Sequence, residues 1–182
     1  MSKQILNRQW GFLMVEPATS TQLGGWTTFA PSLLHTWGFS PERLQAGGNP
    51  IAMCELAMVP MALLQLGPHI KGAHVLWFID NSSSLHSLVK GSARDWYMDK
   101  AVALTHLNAA WCNLSTHFEY VDSSAIWADS ISRNTDLDPF AMEHGFVLAE
   151  VRFPVELWST PYTKLAEAVK KALGIDDEEY VG

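Results

Sequence analysis

Cysteine, charge and linker sequence are all scarce in this chain, and each shortage removes a class of protein. The two cysteines among 182 residues, Cys54 and Cys112, sit in apolar surroundings and supply neither a disulfide framework nor a thiolate metal site. A reducing compartment, cytosol or nucleus, is the expectation. Charged residues make up only 17% against 48% hydrophobic, with 8 Trp and 8 Phe, which excludes a disordered or low-complexity chain. There is no basic surplus: 12 Lys+Arg against 19 Asp+Glu gives a net charge of −7, so phosphate attraction alone does not hold this protein on nucleic acid. The apolar runs 51–64 and 75–79 read as too short or interrupted to span a bilayer. The start, MSKQILNRQWGF, lacks the charged n-region, apolar middle and small-residue cleavage site of a secretory signal. No repeat and no long Gly/Ser/Pro linker interrupts the sequence, whose length suits one domain.

What is present is α/β in pattern. Residues 10–15 form a short apolar run ending at Glu16-Pro17, and 24–29 is rich in β-formers and stops before Pro31. Residues 33–39 read as a third strand. Pro50 suits the first position of a helix that is apolar nearly all round through Leu66, with Pro60 expected to kink or shorten it. A continuous apolar run from Ala73 to Ile79 reads as a central strand covered on both faces, and it ends abruptly at Asp80-Asn81. A short helix follows and closes at Gly91, with Ser92 expected to cap a second one. Residues 116–121 alternate as a strand, and a short helix is expected over 125–133. A strand over 147–153 and a helix over 161–173 capped by Thr160 make up a C-terminal addition. Three early strands followed by α/β alternation predict one mixed sheet covered by helices.

Most of the acids are ordinary: Asp176, Asp177, Glu178 and Glu179 form a solvated run, and Asp136 and Asp138 lie in a polar stretch. Four are not so easily placed. Glu55 sits inside the most apolar helix, where a lone ionised carboxylate costs several kcal/mol and needs a partner, a metal or a cleft. Asp80 ends the most hydrophobic strand, at the kind of sheet edge where sites form. Asp129 lies between Trp127 and Ile131, and Glu16 ends the first strand. Taken singly, each also fits a cap, a salt-bridge partner or a surface residue. Together, on one side of a mixed sheet, they would offer hard oxygen ligands to Mg²⁺ or Mn²⁺. Two such cations about 4 Å apart activate a water and stabilise the leaving oxygen in phosphodiester cleavage. They would also neutralise carboxylates that otherwise repel one another.

The ordered set of motifs resembles a known family. Gly24-Gly25-Trp26 is similar to the glycine pair that opens its second strand. Glu55-Leu56-Ala57, the run 75–79 into Asp80-Asn81-Ser82-Ser83-Ser84, Lys90-Gly91-Ser92 and Trp127-Ala128-Asp129-Ser130-Ile131-Ser132-Arg133 follow in order. The last looks like the "AD-x-x-SR" signature of the ribonuclease H domain attached to reverse transcriptases of retrotransposons, and the resemblance covers roughly residues 9–134. It implies a ribonuclease H-like α/β fold: a five-stranded mixed sheet flanked by helices over 1–134, with 135–182 an extension packed on the same domain. It also implies endonucleolytic hydrolysis of the RNA strand of RNA–DNA hybrids by two divalent ions, Mg²⁺ or Mn²⁺. Carried over by position, Glu55, Asp80 and Asp129 match the helix, strand-end and late-helix acids, with Glu16 the nearest match to the first. Glu16 stands where the family has aspartate before a small residue, and Pro17 follows it. The extra methylene displaces a bridging carboxylate by more than about 1 Å, a misplacement worth on the order of a hundredfold in rate. Ile126 stands where the family has asparagine, and 121–128 contains no histidine.

Asn81, Ser82, Lys90 and Arg94 are the candidate substrate contacts, through hydroxyl, amide and cationic groups that suit phosphates; a helix cap and a solvated helix face are their ordinary readings. Lys100 completes the basic cluster, and Trp96 is a candidate for stacking on a base or sugar. His69 and His74 lack a third ligand for zinc, and Ser82–84 has no Gly-x-Ser-x-Gly elbow. Gly24-Gly25 and Gly47-Gly48 form no dinucleotide or P-loop fingerprint. Two readings therefore stand. One is a metal-dependent nuclease that recognises hybrid through 2′-hydroxyls and phosphates and is delivered to it by a reverse transcriptase or another protein partner. The other is a catalytically weak or inactive module with a structural or protein-interaction role.

Overall fold

The computed structural model describes residues 9–40, 42, 43, 46, 50–127 and 139–175. The chain divides into two compact units, one from Met1–Met58 and Val121–Phe153, the other from Val59–Tyr120 and Pro154–Gly182.

The first unit is built on an antiparallel hairpin. Strands β1 (Gln9–Glu16) and β2 (Thr21–Thr28) pair from Gln9↔Thr28 to Glu16↔Thr21. The turn between them places Ser20 at a φ of 56°, in the left-handed region. Strand β5 (Val147–Glu150) adds parallel to the other edge of β2, from Leu23↔Val147 to Trp26↔Glu150. Gly24 and Gly25 are required by close approach. A Cβ at Gly24 would lie 2.5 Å from Leu148 Cδ2, and one at Gly25 would lie 2.7 Å from the Phe12 ring and 2.8 Å from Val151 Cγ1. Beside the sheet, Phe29, Trp37 and Phe153 pack edge to face with centroids 5.1–5.5 Å apart.

The expected third strand at 33–39 is instead a helix, α1 (Pro31–Thr36). Pro31 at its start supplies the helical φ, and Leu33, Leu34 and Trp37 fall on one buried side at helical spacing. Helix α2 (Ile51–Leu66) runs unbroken through Pro60 and continues into a 3₁₀ turn, Gly67–His69. With that turn the segment is 19 residues at mean hydropathy 1.5, long and apolar enough by length and composition to cross a membrane, which the run 51–64 alone is not. Within its apolar window, 67% is buried inside the fold.

The second unit is a strand–helix–helix–strand crossover: β3 (His74–Ile79), α3 (Ser82–Lys90), α4 (Trp96–Trp111) and β4 (Ser115–Tyr120). Strands β3 and β4 pair in parallel from His74↔Ser115 to Ile79↔Tyr120. Asn81 caps α3 through its side-chain oxygen, which accepts from the amides of Ser83 and Ser84, and Gly91 ends it at a φ of 75°. The cap of α4 is Asp95 rather than Ser92, accepting from Tyr97 and Met98 amides at 2.9 and 3.0 Å. Leu88, Val102 and Leu104 are fully buried, as are Leu165 and Val169 from the C-terminal part of this unit. After the short helices α5 (Pro139–Glu143) and α6 (Val155–Ser159), α7 (Tyr162–Ala172) packs against α4, and the Trp111 indole N–H donates to the Ala166 carbonyl at 3.0 Å. Pro161, not Thr160, occupies the cap position of α7.

The architecture is therefore mixed α/β, but among the described residues the single five-stranded sheet is not formed. The strands are shared between a mixed three-stranded sheet, β1–β2–β5, and a two-stranded one, β3–β4. Two causes are visible. The residues read as strand three are helical, and β5, from the stretch read as an appendage, takes the free edge of β2.

Candidate functional site

Of the four carboxylates, three lie within the described residues. Glu16 is half-buried at the last position of β1, and its Oε1 accepts from the Ala18 amide at 2.8 Å, so the side chain folds back on its own turn. Glu55 is half-buried in α2, flanked by Cys54 and Leu56, which are 1% and 0% exposed. Asp80 is half-buried one residue beyond β3, directly before the Asn81 cap. Asp129 lies outside the described residues, as does most of the helix expected over 125–133. What the structure describes there is a 3₁₀ turn, Ser123–Ala125, whose Ser124 amide and hydroxyl both donate to Asp122, at 2.9 and 2.6 Å. Those bonds hold the Asp122 carboxyl below its usual range.

In kind, these oxygen donors suit Mg²⁺ or Mn²⁺. The described residues contain no group of three His, Cys, Asp or Glu able to hold a metal ion. Of the four substrate candidates, Asn81 spends its side-chain oxygen on the helix cap. Ser82, Lys90 and Arg94 are exposed around α3 and the turn that follows it.

Lys100 does not belong with them. Its side chain is fully buried, its Nζ donates to the Thr160 carbonyl, and it lies over the rings of Trp96 and Tyr162, 5.6 and 4.6 Å from their centroids. Burial pushes its pKa down, because the charged amine gives up water. Beside it, the Tyr162 hydroxyl donates to Asp99 Oδ2 at 2.8 Å, and the Ala93 amide donates to Asp99 Oδ1 at 2.9 Å. Burial first, and the Asp99 carboxylate second, hold the phenol above its usual range, so it stays a donor at neutral pH. Asp99, Lys100 and Tyr162 clasp α4 to the start of α7. Part of this was readable: Trp96 and Lys100 are four apart, the spacing that stacks side chains on one helix face. Tyr162, more than sixty positions on, gave no such signal. Next to the clasp, Ala103, His106 and Leu107 of α4 and Leu165 and Ala166 of α7 line an open, mainly apolar groove of about 480 Å³. His106 is committed there, its Nε2–H donating to the Leu88 carbonyl at 3.0 Å.

Comparison of the chain with models of protein families, with curated proteins and with solved structures finds no match.

Proposed function

We propose that the chain is a ribonuclease H-like module that hydrolyses the RNA strand of RNA–DNA hybrids with Mg²⁺ or Mn²⁺. The observation that carries this reading is the junction at Asp80. A parallel strand delivers a half-buried carboxylate at its C-terminal end, and Asn81 turns the chain at once into a capped helix. Strand C-termini in parallel α/β arrangements are where polar sites are built, because the helices that follow begin there. The order of Glu55, Asp80 and the Asp129 signature supports the same reading, and a complete set of metal ligands requires Asp129. Two divalent ions, when bound, lower the pKa of the attacking water and offset charge on the cleaved phosphodiester. Ser82, Lys90 and Arg94 supply exposed polar and cationic groups for backbone phosphates. With a net charge of −7, productive binding depends on a reverse transcriptase or another protein that presents the hybrid. Both cysteines are buried and neither is in a disulfide, in keeping with a cytoplasmic or nuclear setting.

Glu16 favours a second reading, a weak or inactive module with a structural role. The longer side chain accepts from the amide of Ala18 in its own turn, one residue past Pro17. The two are separated by incubating the full chain with labelled hybrid and Mn²⁺ or Mg²⁺, beside Asp80→Asn. Cleavage that disappears in the variant supports hydrolysis; equal background in both supports the structural module. Mg²⁺ should also raise the melting temperature, and Glu55→Gln should abolish that rise.

A further inference from the structure

Among the described residues, the β3–β4 sheet has one face covered and one exposed. Val75, Trp77 and Ile79 with Thr116 and Phe118 are half-buried on the side of α3 and α4, where the Phe118 and His106 rings meet at 6.3 Å. The alternate residues are exposed: His74, Leu76 and Phe78 on β3, and Ser115, His117 and Glu119 on β4. Leu76 is 53% and Phe78 is 56% exposed. The register sets them in rows, His74 beside Ser115, Leu76 beside His117 and Phe78 beside Glu119. Parallel sheets occur almost only with both faces covered, and a two-stranded sheet gains little stability by itself.

We propose that a second copy of this chain covers the bare face. The pattern is self-complementary. A two-fold axis crossing the strands between the Leu76/His117 and Phe78/Glu119 rows sets Leu76 of each copy on Phe78 of the other. The same operation sets His117 on Glu119, reciprocally, as an isologous contact requires. His117 and Glu119 already lie 3.3 Å apart within one copy, so pairing across the axis exchanges or doubles an existing contact and brings no like charges together. Six exposed side chains per copy make a small patch, so the contact falls at the low end of specific interface sizes. The dimer is accordingly weak and reversible, and it does not depend on the hydrolytic reading.

Sedimentation of the full chain from about 1 µM to 1 mM tests it, with a dissociation constant on the order of 10–100 µM expected. Leu76→Glu and Phe78→Ser should leave a folded monomer across that range. Val89→Glu, at a site 67% exposed on α3, should leave association unchanged. Glu119→Lys should weaken the dimer about tenfold, and adding His117→Glu should restore it. A chain that stays monomeric throughout overturns the proposal, whether the face stays bare or another protein or nucleic acid covers it. So does a dimer indifferent to Leu76→Glu, or a double exchange as weak as Glu119→Lys alone.

Discussion

Strands β1 and β2 meet across one tight turn, whereas β3 and β4 become neighbours only after two helices, α3 and α4, have been laid between them. The hairpin closes a short loop, and its register follows from the turn and from glycines that admit Phe12, Leu13 and Leu148. The parallel pair has no such local guide. It depends on buried side chains of α3 and α4, chiefly Leu88, Val102 and Leu104, to bring two distant segments together. One sheet is thus specified by backbone space, the other by side-chain volume.

The largest expected effect comes from ending the chain after Asn134. That change removes β5 from the first unit and α6 and α7 from the second, with Val151, Phe153, Leu157, Trp158, Leu165 and Val169. Cooperative thermal unfolding should be lost, along with near-ultraviolet circular dichroism; a sharp melt in the shortened chain would refute this. Leu104→Ala should cost about 3 kcal/mol and speed hydrogen exchange in β3, α4 and β4 more than in β1 and β2. Gly25→Val should cost about 2 kcal/mol with the opposite distribution, since the new Cβ meets Phe12 and Val151. If both variants loosen the same amides, the contrast between the sheets fails. Asn81→Ala should cost about 1 kcal/mol through the lost cap, read in denaturant titration as a shifted midpoint at constant slope. The smallest effect is alkaline. Tyr162 has its folded pKa raised, so its contribution is complete below the ordinary tyrosine value of about 10 and fades as pH climbs above it. Tyr162→Phe should flatten the stability profile above that pH and lower stability slightly at neutrality, where the bond to Asp99 is intact in the parent chain.

The sequence was most readable where one residue type has one backbone use. Gly91 at a left-handed position ends α3, and the alternation through β4 matches the strand within a residue. It was misleading at 33–39, where Leu33, Leu34 and Trp37 fit a buried strand and a buried helix face equally, and Pro31 was the deciding residue. The division of the strands into two sheets was not readable, because it turns on β5 reaching β2, a pairing with no local signal. Among the acids, the strand-end position of Asp80 followed from the apolar run before it. The bond from the Ala18 amide to Glu16 depends on turn geometry that composition does not carry. Lys100 read as a member of an exposed basic cluster because lysines usually lie at the surface. Its burial depends on a helix more than fifty residues away.

The Lys100 clasp also makes its amine a reporter. Acylating reagents reach exposed lysines such as Lys71, Lys90 and Lys164 directly, but they reach Lys100 only when α7 lifts from α4. The rate at which that position gains mass, compared with its neighbours, is a clock for the detachment of the C-terminal helix, readable in the unmodified chain at neutral pH.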